Sequence, residues 1–310
     1  MQTAPPTIVR RRVQIDFAPV PAGPWFPAGG PLETMFNAAS LSFPPTERFF
    51  IGAVRDCLDR VSDPALREQV TGFIHQEAMH NRVHIDCNAM LARHYPNCRR
   101  AERISIVTFR LVGRLPRWFR LSLSSALEHF TSMVADTLLR YPDAFREIVP
   151  PQIADMWLWH AAEETEHKSV CFDVHRAWLG SGPLSYLNRV VGMLLATPLF
   201  LFVMLLLGAI VLGRRRPVGN APMPPTAPEP TARVEAAEPP LGPPPAPAEA
   251  ADATRFVGRN MLALLWEGVP WRVYFSYYRP SFHPWDHDNS KLIAEWKQRY
   301  PDFGLAATTG

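Results

Sequence analysis

Apolar positions between residues 44 and 178 recur at three- and four-residue spacing, the period of helices that bury one face, and alternating strand patterns are almost absent. Proline punctuates the pattern. Pro44-Pro45, Asp63-Pro64, Pro116 and Pro150-Pro151 each stand where a helix would begin, since proline suits the first turn and disrupts the interior. Helices are therefore expected over roughly 45–60, 64–94, 117–140 and 151–178, with residues 100–115 as a further short helix or a lead-in to the third. Four apolar stripes are buried most economically in an all-α four-helix bundle. The expected organisation is an N-terminal extension over 1–40, the bundle over 41–189, an apolar segment over 190–213, a linker over 214–254 and an aromatic segment over 255–310.

The apolar segment changes the picture. Val190 to Leu212 holds no charge over 23 residues, enough to cross a bilayer's hydrocarbon layer, and Arg214, Arg215 and Arg216 follow it. A single crossing would put residues 1–189 outside the cell. Yet no apolar run follows Arg10, Arg11 and Arg12, so no secretory signal is read, and Cys57, Cys87, Cys98 and Cys171 form no C-x-x-C pair. Either Pro198 bends the segment into a re-entrant or interfacial element, or the chain returns through the amphipathic stretch Phe256–Tyr278. The expected partner is a lipid bilayer, with the bundle facing the cytoplasm; a buried core helix is the alternative. Beyond it, twelve prolines between Pro217 and Pro247 mark an extended linker. The formal charge of +3 is too small for a nucleic-acid surface, so nucleic acid is not expected as a partner.

Each of the four helices places a carboxylate on its apolar stripe, a costly position without compensation. In chain order they offer Glu47, then Glu77 with His80, then Glu128, then Glu164 with His167, or Glu, Glu-x-x-His, Glu, Glu-x-x-His. That is the ligand set of a ferritin-like centre in which four carboxylates and two imidazoles hold two metals. One Glu-x-x-His pair means little; two, on the second and fourth helices, mean considerably more. Two metal ions are expected, iron first, with manganese or zinc possible. Glu163 and Glu166 compete with Glu164, and the three-residue register to His167 selects Glu164. His84, His160, Glu163 and His129 are expected behind the ligands, and small residues around Glu128 (Ser124, Ser125, Ser132, Ala135) could leave room for a pocket. His283, Asp286 and His287 form a weaker C-terminal candidate for metal. Around them Trp271, Tyr274, Phe275, Tyr277, Tyr278, Phe282 and Trp285 make a segment suited to a membrane's headgroup layer.

The strings PPTERFF (44–50), FIHQEAMHNRVH (73–84), ALEHFT (126–131), WHAAEETEHKSVCFDV (159–174) and YYRPSFHPWDHD (277–288) together resemble a bacterial family of predicted metal-dependent hydrolases. The likeness spans most of the chain outside the linker and the N-terminal forty residues, and the linker is the main departure from the family's pattern. It implies Glu47, Glu77, His80, Glu128, Glu164 and His167 as metal ligands. Three functions are open at this point. A dinuclear iron centre could activate oxygen and oxidise an apolar small-molecule substrate, drawing on an electron donor. The metals could instead serve a hydrolase using a metal-bound water. Or the bundle could bind and store iron without catalysis.

Overall fold

The computed structural model describes residues 6–21, 23–26, 30–213 and 269–305, so the linker and much of the Phe256–Tyr278 stretch lie outside the described residues. The chain is all-α; among the described residues there is no strand. Its helices are α1 (Pro31–Arg55), α2 (Pro64–His94), α3 (Cys98–Val112), α4 (Arg117–Arg140), α5 (Pro142–Ile148), α6 (Pro151–His167), α7 (Val170–Leu179), α8 (Pro183–Leu212), α9 (Val269–Ser276) and α10 (Ser290–Arg299).

Three of the four proline starts stand. At α2, Asp63 caps the helix by accepting from Ala65 N at 2.9 Å while Pro64 takes the first turn. The first does not: α1 begins at Pro31 and runs through Pro44 and Pro45. A proline inside a helix removes an N–H and frees the carbonyl four residues earlier. For Pro44 that carbonyl is Ser40 O, and α2 supplies the replacement donor, Asn88 Nδ2 at 3.1 Å; Asn81 Nδ2 of the same helix donates to Pro44 O. The fourth expected helix is also not continuous. It breaks at Lys168-Ser169, directly after His167, where the buried Lys168 ammonium is drawn to His287 O (2.7 Å) and Asn289 Oδ1 (2.6 Å).

α1 packs along α2, and α4 along α6 and α7; the two pairs face each other, with α3 lying against α1. Two apolar clusters fill the interior. One gathers Phe36, Leu41, Leu91, Trp157 and Trp159; the other gathers Phe50, Phe73, Leu121, Cys171 and Tyr277. Along each of α1, α2 and α4 the chain passes from one cluster to the other, and α6 does so on entering α7. The acidic and imidazole residues sit at the crossing point. The four cysteines are buried and unbridged.

α8 lies on α1 and α4 with one face packed and one bare. Met193, Ala196, Val203, Leu207 and Val211 are buried, while Leu194, Leu195, Leu201, Phe202 and Leu205 are exposed. The helix is long and apolar enough to cross a membrane, which by itself is weak evidence that it does. The aromatic segment divides differently from expectation. Tyr277, Phe282 and Trp285 are buried against the bundle, anchored by the Arg189 guanidinium on Tyr277 O and Arg279 O, and exposure falls on Trp271 and Phe275.

The N-terminal segment is a strap rather than a loose extension. Val13, Phe17 and Val20 join the core, and every second residue from Arg11 to Phe17 turns inward, the period of extended backbone. Arg11 is one of the inward residues.

Candidate metal centre

All six expected ligands are buried at the middle of the bundle. Glu77, His80, Glu164 and His167 present ligand atoms that all lie within 4.8 Å of one another, and Glu47, His84 and His160 do the same in a second group. Glu128 joins through its Oε2, 3.0 Å from His167 Nδ1. Whether these residues fit metal ions is tested by their unmet polar atoms. Both oxygens of Glu47 and of Glu77, Glu128 Oε1, Glu164 Oε2, His80 Nδ1 and His167 Nε2 are buried without a hydrogen-bond partner. Each of the six residues contributes at least one. A buried carboxylate left so would cost several kcal/mol, and cations shared among these atoms remove that cost. The residues fit a pair of divalent ions.

The electrostatics agree. Burial, reinforced by the neighbouring glutamates, holds the Glu47 and Glu77 carboxyls well above the usual range and moves Glu128 up to about 7. Burial lowers His80 well below its ordinary value. For His167 burial acts downward too, but Glu128 and Glu164 outweigh it and raise the imidazole to about 9. The protons held at this centre are the ones metal ions would displace.

Residues behind the ligands fix their orientation. His80 Nε2 lies 3.0 Å from Glu163 Oε2, which leaves Nδ1 toward the centre. Glu163 in turn accepts from Arg11 Nη1 at 2.8 Å, and Arg11 also binds Glu166, which further accepts from Gln76 Nε2 (2.7 Å) and pairs with Lys297. His160 Nε2 sits 2.9 Å from Glu164 Oε1, and its Nδ1 is 2.8 Å from His84 Nε2, whose Nδ1 is tied to Ser40 Oγ at 2.9 Å. Phe73 packs edge-on against His167 and Trp159 against His80, setting aromatic rings against the two candidate imidazole ligands.

Glu163 and His160 thus stand directly behind ligands, and His84 behind His160, while its grouping with Glu47 also makes it a ligand candidate. His129 does not reach the centre. It bonds Val273 O at 3.1 Å and packs on Tyr277 and Phe282, so its role is to seat the C-terminal segment. His283, Asp286 and His287 do not converge on one point: His283 and Asp286 cap the same short turn, His283 Nε2 meets Asp173 at 3.0 Å, and His287 Nε2 meets Asp136 at 3.1 Å. Sequence reasoning missed Arg11, Gln76 and Lys297. Arg11 was accessible from the two-residue alternation of the strap; Lys297 lies on α10, far along the chain, and carried no signal.

A pocket does border the small residues near Glu128. Ala135 lines an apolar cavity that reaches Glu164 and His160, while Ser132 lines another together with Asp136, Lys168 and His287.

No curated protein and no solved structure matches the chain. A family model described as "Predicted metal-dependent hydrolase" matches residues 9–288, a span that takes in the strap's Arg11 as well as the four helices around the centre and the C-terminal turn that seals it. With the matched region covering most of the sequence and enclosing every residue of a buried carboxylate and imidazole cluster, the chain belongs to the family of predicted metal-dependent hydrolases.

Proposed function

We propose that the protein is a membrane-associated hydrolase working through a dinuclear metal centre held by Glu47, Glu77, His80, Glu128, Glu164 and His167. The observation that carries this reading is the set of unpartnered buried ligand atoms on all six residues, inside a chain of a metal-dependent hydrolase family. Two divalent cations there would supply Lewis acidity, polarising an ester, amide or phosphoryl oxygen and making water acidic enough to attack it. The chain's own residues supply the rest. Glu163 keeps the His80 ring turned with Nδ1 inward, and Arg11 opposes the burial that raises the Glu163 carboxyl to about 7. His160 orients Glu164 through Oε1 and leaves Oε2 free. Phe73 and Trp159 set aromatic rings against His167 and His80. Zinc, manganese or iron would each suit the donors, iron foremost because glutamates can change their mode of binding with its oxidation state.

Membrane association rests on α8 and its surroundings. Its bare face of leucines and Phe202 adjoins α3, on which Val107 and Leu111 are exposed beside the exposed Arg103 and Arg110. An apolar face flanked by arginines suits the interface of an anionic bilayer. With α8 seated on the bundle along its length, a helix lying in the cytoplasmic leaflet accounts for both faces and keeps the bundle on the cytoplasmic side.

A second reading is favoured by one specific observation, the doubled Glu-x-x-His register with four carboxylates and two histidines: oxygen activation at two irons, fed by an electron donor. The deciding experiment is elemental analysis of the detergent-purified chain, then turnover of ester substrates under argon without reductant. Two metals per chain and anaerobic hydrolysis, retained with zinc or manganese, are expected. Turnover only with iron, oxygen and reductant would replace this reading with the second, and absence of stoichiometric metal would overturn both.

A further inference from the structure

The imidazoles behind the centre are short of hydrogens to share. Asn88 Nδ2 donates to Ser40 O at 3.1 Å, which turns Asn88 Oδ1 toward Ser40 Oγ, 2.8 Å away. The Ser40 hydroxyl commits its single hydrogen there, so at 2.9 Å it can only accept from His84 Nδ1. A neutral His84 then carries a bare lone pair on Nε2. From the other side Glu164, a carboxylate when it serves as a ligand, accepts from His160 Nε2 at 2.9 Å and leaves a lone pair on His160 Nδ1. The two lone pairs face each other at 2.8 Å, and both rings are buried. A positive charge belongs between them. Glu47 stands beside these rings: its carboxylate offers an oxygen within 4.8 Å of ligand atoms on both, and neither of its oxygens has a partner.

We infer that Glu47, His84 and His160 form a third cation position, separate from the dinuclear pair, for a divalent ion that favours nitrogen ligands, such as zinc. Two nitrogens at right angles on such an ion, with bonds of about 2.0–2.1 Å, stand about 2.9 Å apart. The observed 2.8 Å is close to that separation. Phe43, 4.8 Å from the His84 ring and 4.7 Å from the His160 ring, and Trp157, 5.3 Å from His84, hold both rings in place. His160 divides the two sites, since its Nε2 edge faces Glu164 and its Nδ1 edge faces His84. Glu47 can serve the dinuclear centre through one oxygen and this position through the other. Two neutral imidazoles and a shared carboxylate bring less negative charge than the pair's four carboxylates, so this position fills last and only with added cation. The lone pair on His160 requires Glu164 as a carboxylate, so the third position rests on the dinuclear reading.

The test is equilibrium dialysis of the chelator-stripped full chain in detergent against increasing cobalt(II), with bound metal counted by elemental analysis and followed by visible absorption. Two tightly held ions and a third, weaker one are expected. His84→Phe, which keeps a ring beside Phe43 and Trp157, should hold two. Ser40→Ala, which frees His84 to place its hydrogen on Nε2, should hold three with the third weakened about tenfold. Saturation of the parent at two ions would overturn the inference and leave the dinuclear reading standing, and so would a third ion that both variants bind as the parent does. Loss of a tightly held ion in His84→Phe would put His84 in the dinuclear centre and end the case for a separate position. A parent that binds no ion would overturn both readings.

Discussion

His80 and Arg11 never touch, yet they are joined through one carboxylate: Glu163 Oε2 lies 3.0 Å from His80 Nε2 and Glu163 Oε1 lies 2.8 Å from Arg11 Nη1. The strap before the first helix therefore sets the orientation of an imidazole on the second. Partners of this kind are worth about 10–100-fold in metal affinity. Arg11→Ala is expected to weaken metal binding by that amount in competition with a chromophoric chelator, with Arg11→Lys recovering part of it. Unchanged affinity in Arg11→Ala would remove the strap from the centre's function.

The helices that carry the six candidate ligands, and the burial of those six residues together, were readable because a charge on an apolar stripe contradicts helical periodicity. What escaped had physical reasons. Pro44 and Pro45 looked like a start because the side chain that takes over the carbonyl freed by Pro44, Asn88, belongs to another helix. The strap's inward alternation, which marks Arg11, is short, and Arg11 was read only as one of three arginines with no apolar run after them. Burial of Tyr277, Phe282 and Trp285 depends on packing across a long linker, which no local pattern encodes.

Removing the metals should make stability fall with pH where the loaded form stays level. In the metal-free chain Glu128 is raised from 4.5 to about 7, so the folded state holds its proton longer than the unfolded one, and stability falls as pH rises through that window. His167, raised from 6.5 to about 9, contributes stability that is full below its unfolded value and lost as pH rises through about 9. Both act in one direction. Between about pH 7 and 9, above the range where the lowered His80 acts in the opposite sense, chelator-stripped protein is expected to lose thermal stability, whereas loaded protein holds its melting temperature there. Parallel curves for the two forms would contradict the assignment of these residues as ligands.

Glu77→Gln and His167→Ala separate metal binding from folding. Each should lose most bound metal by elemental analysis. In the stripped state, however, Glu77→Gln should be more stable than the parent by about 1–3 kcal/mol, because it replaces a buried carboxylate surrounded by glutamates, with His167 Nε2 at 3.4 Å as its ion-pair contact. A Glu77→Gln chain that keeps full metal would sink that ligand.

Asp136 ties the C-terminal turn to α4, accepting from His287 Nε2 and Asn289 Nδ2 and pairing with Arg140. Burial acts to raise its carboxyl, but the bonds from His287 and Arg140 prevail and lower it to about 2. Its contribution is present above the ordinary value of 3.8 and lost as pH falls from there toward about 2. Discounting for the partly exposed Arg140, Asp136→Asn is expected to cost about 1–2 kcal/mol at pH 7 and only a small fraction of that at pH 2. Denaturant melts at the two pH values check it; an equal cost at both would mean that packing, not charge, holds the turn.

Gly192 decides how α8 is used. A β-carbon there would stand 2.1 Å from Ser122 Oγ and 3.1 Å from Ser122 Cβ and its carbonyl carbon, and that hydroxyl is already donating to Asn188 O at 2.9 Å. The contact is therefore a seam where α8 and α4 meet without a side chain between them. If α8 remains seated while its outer face meets lipid, Gly192→Ala should destabilise the chain by about 1–3 kcal/mol in detergent and in bilayers alike. Gly192→Ala with Ser122→Ala should recover only part, since the contacts at 3.1 Å persist. If α8 instead left the bundle to cross the bilayer, the substitution would be silent in bilayers. Hydrogen exchange of α4 amides in nanodiscs would then rise equally with and without it, and the leaflet-lying arrangement would be wrong.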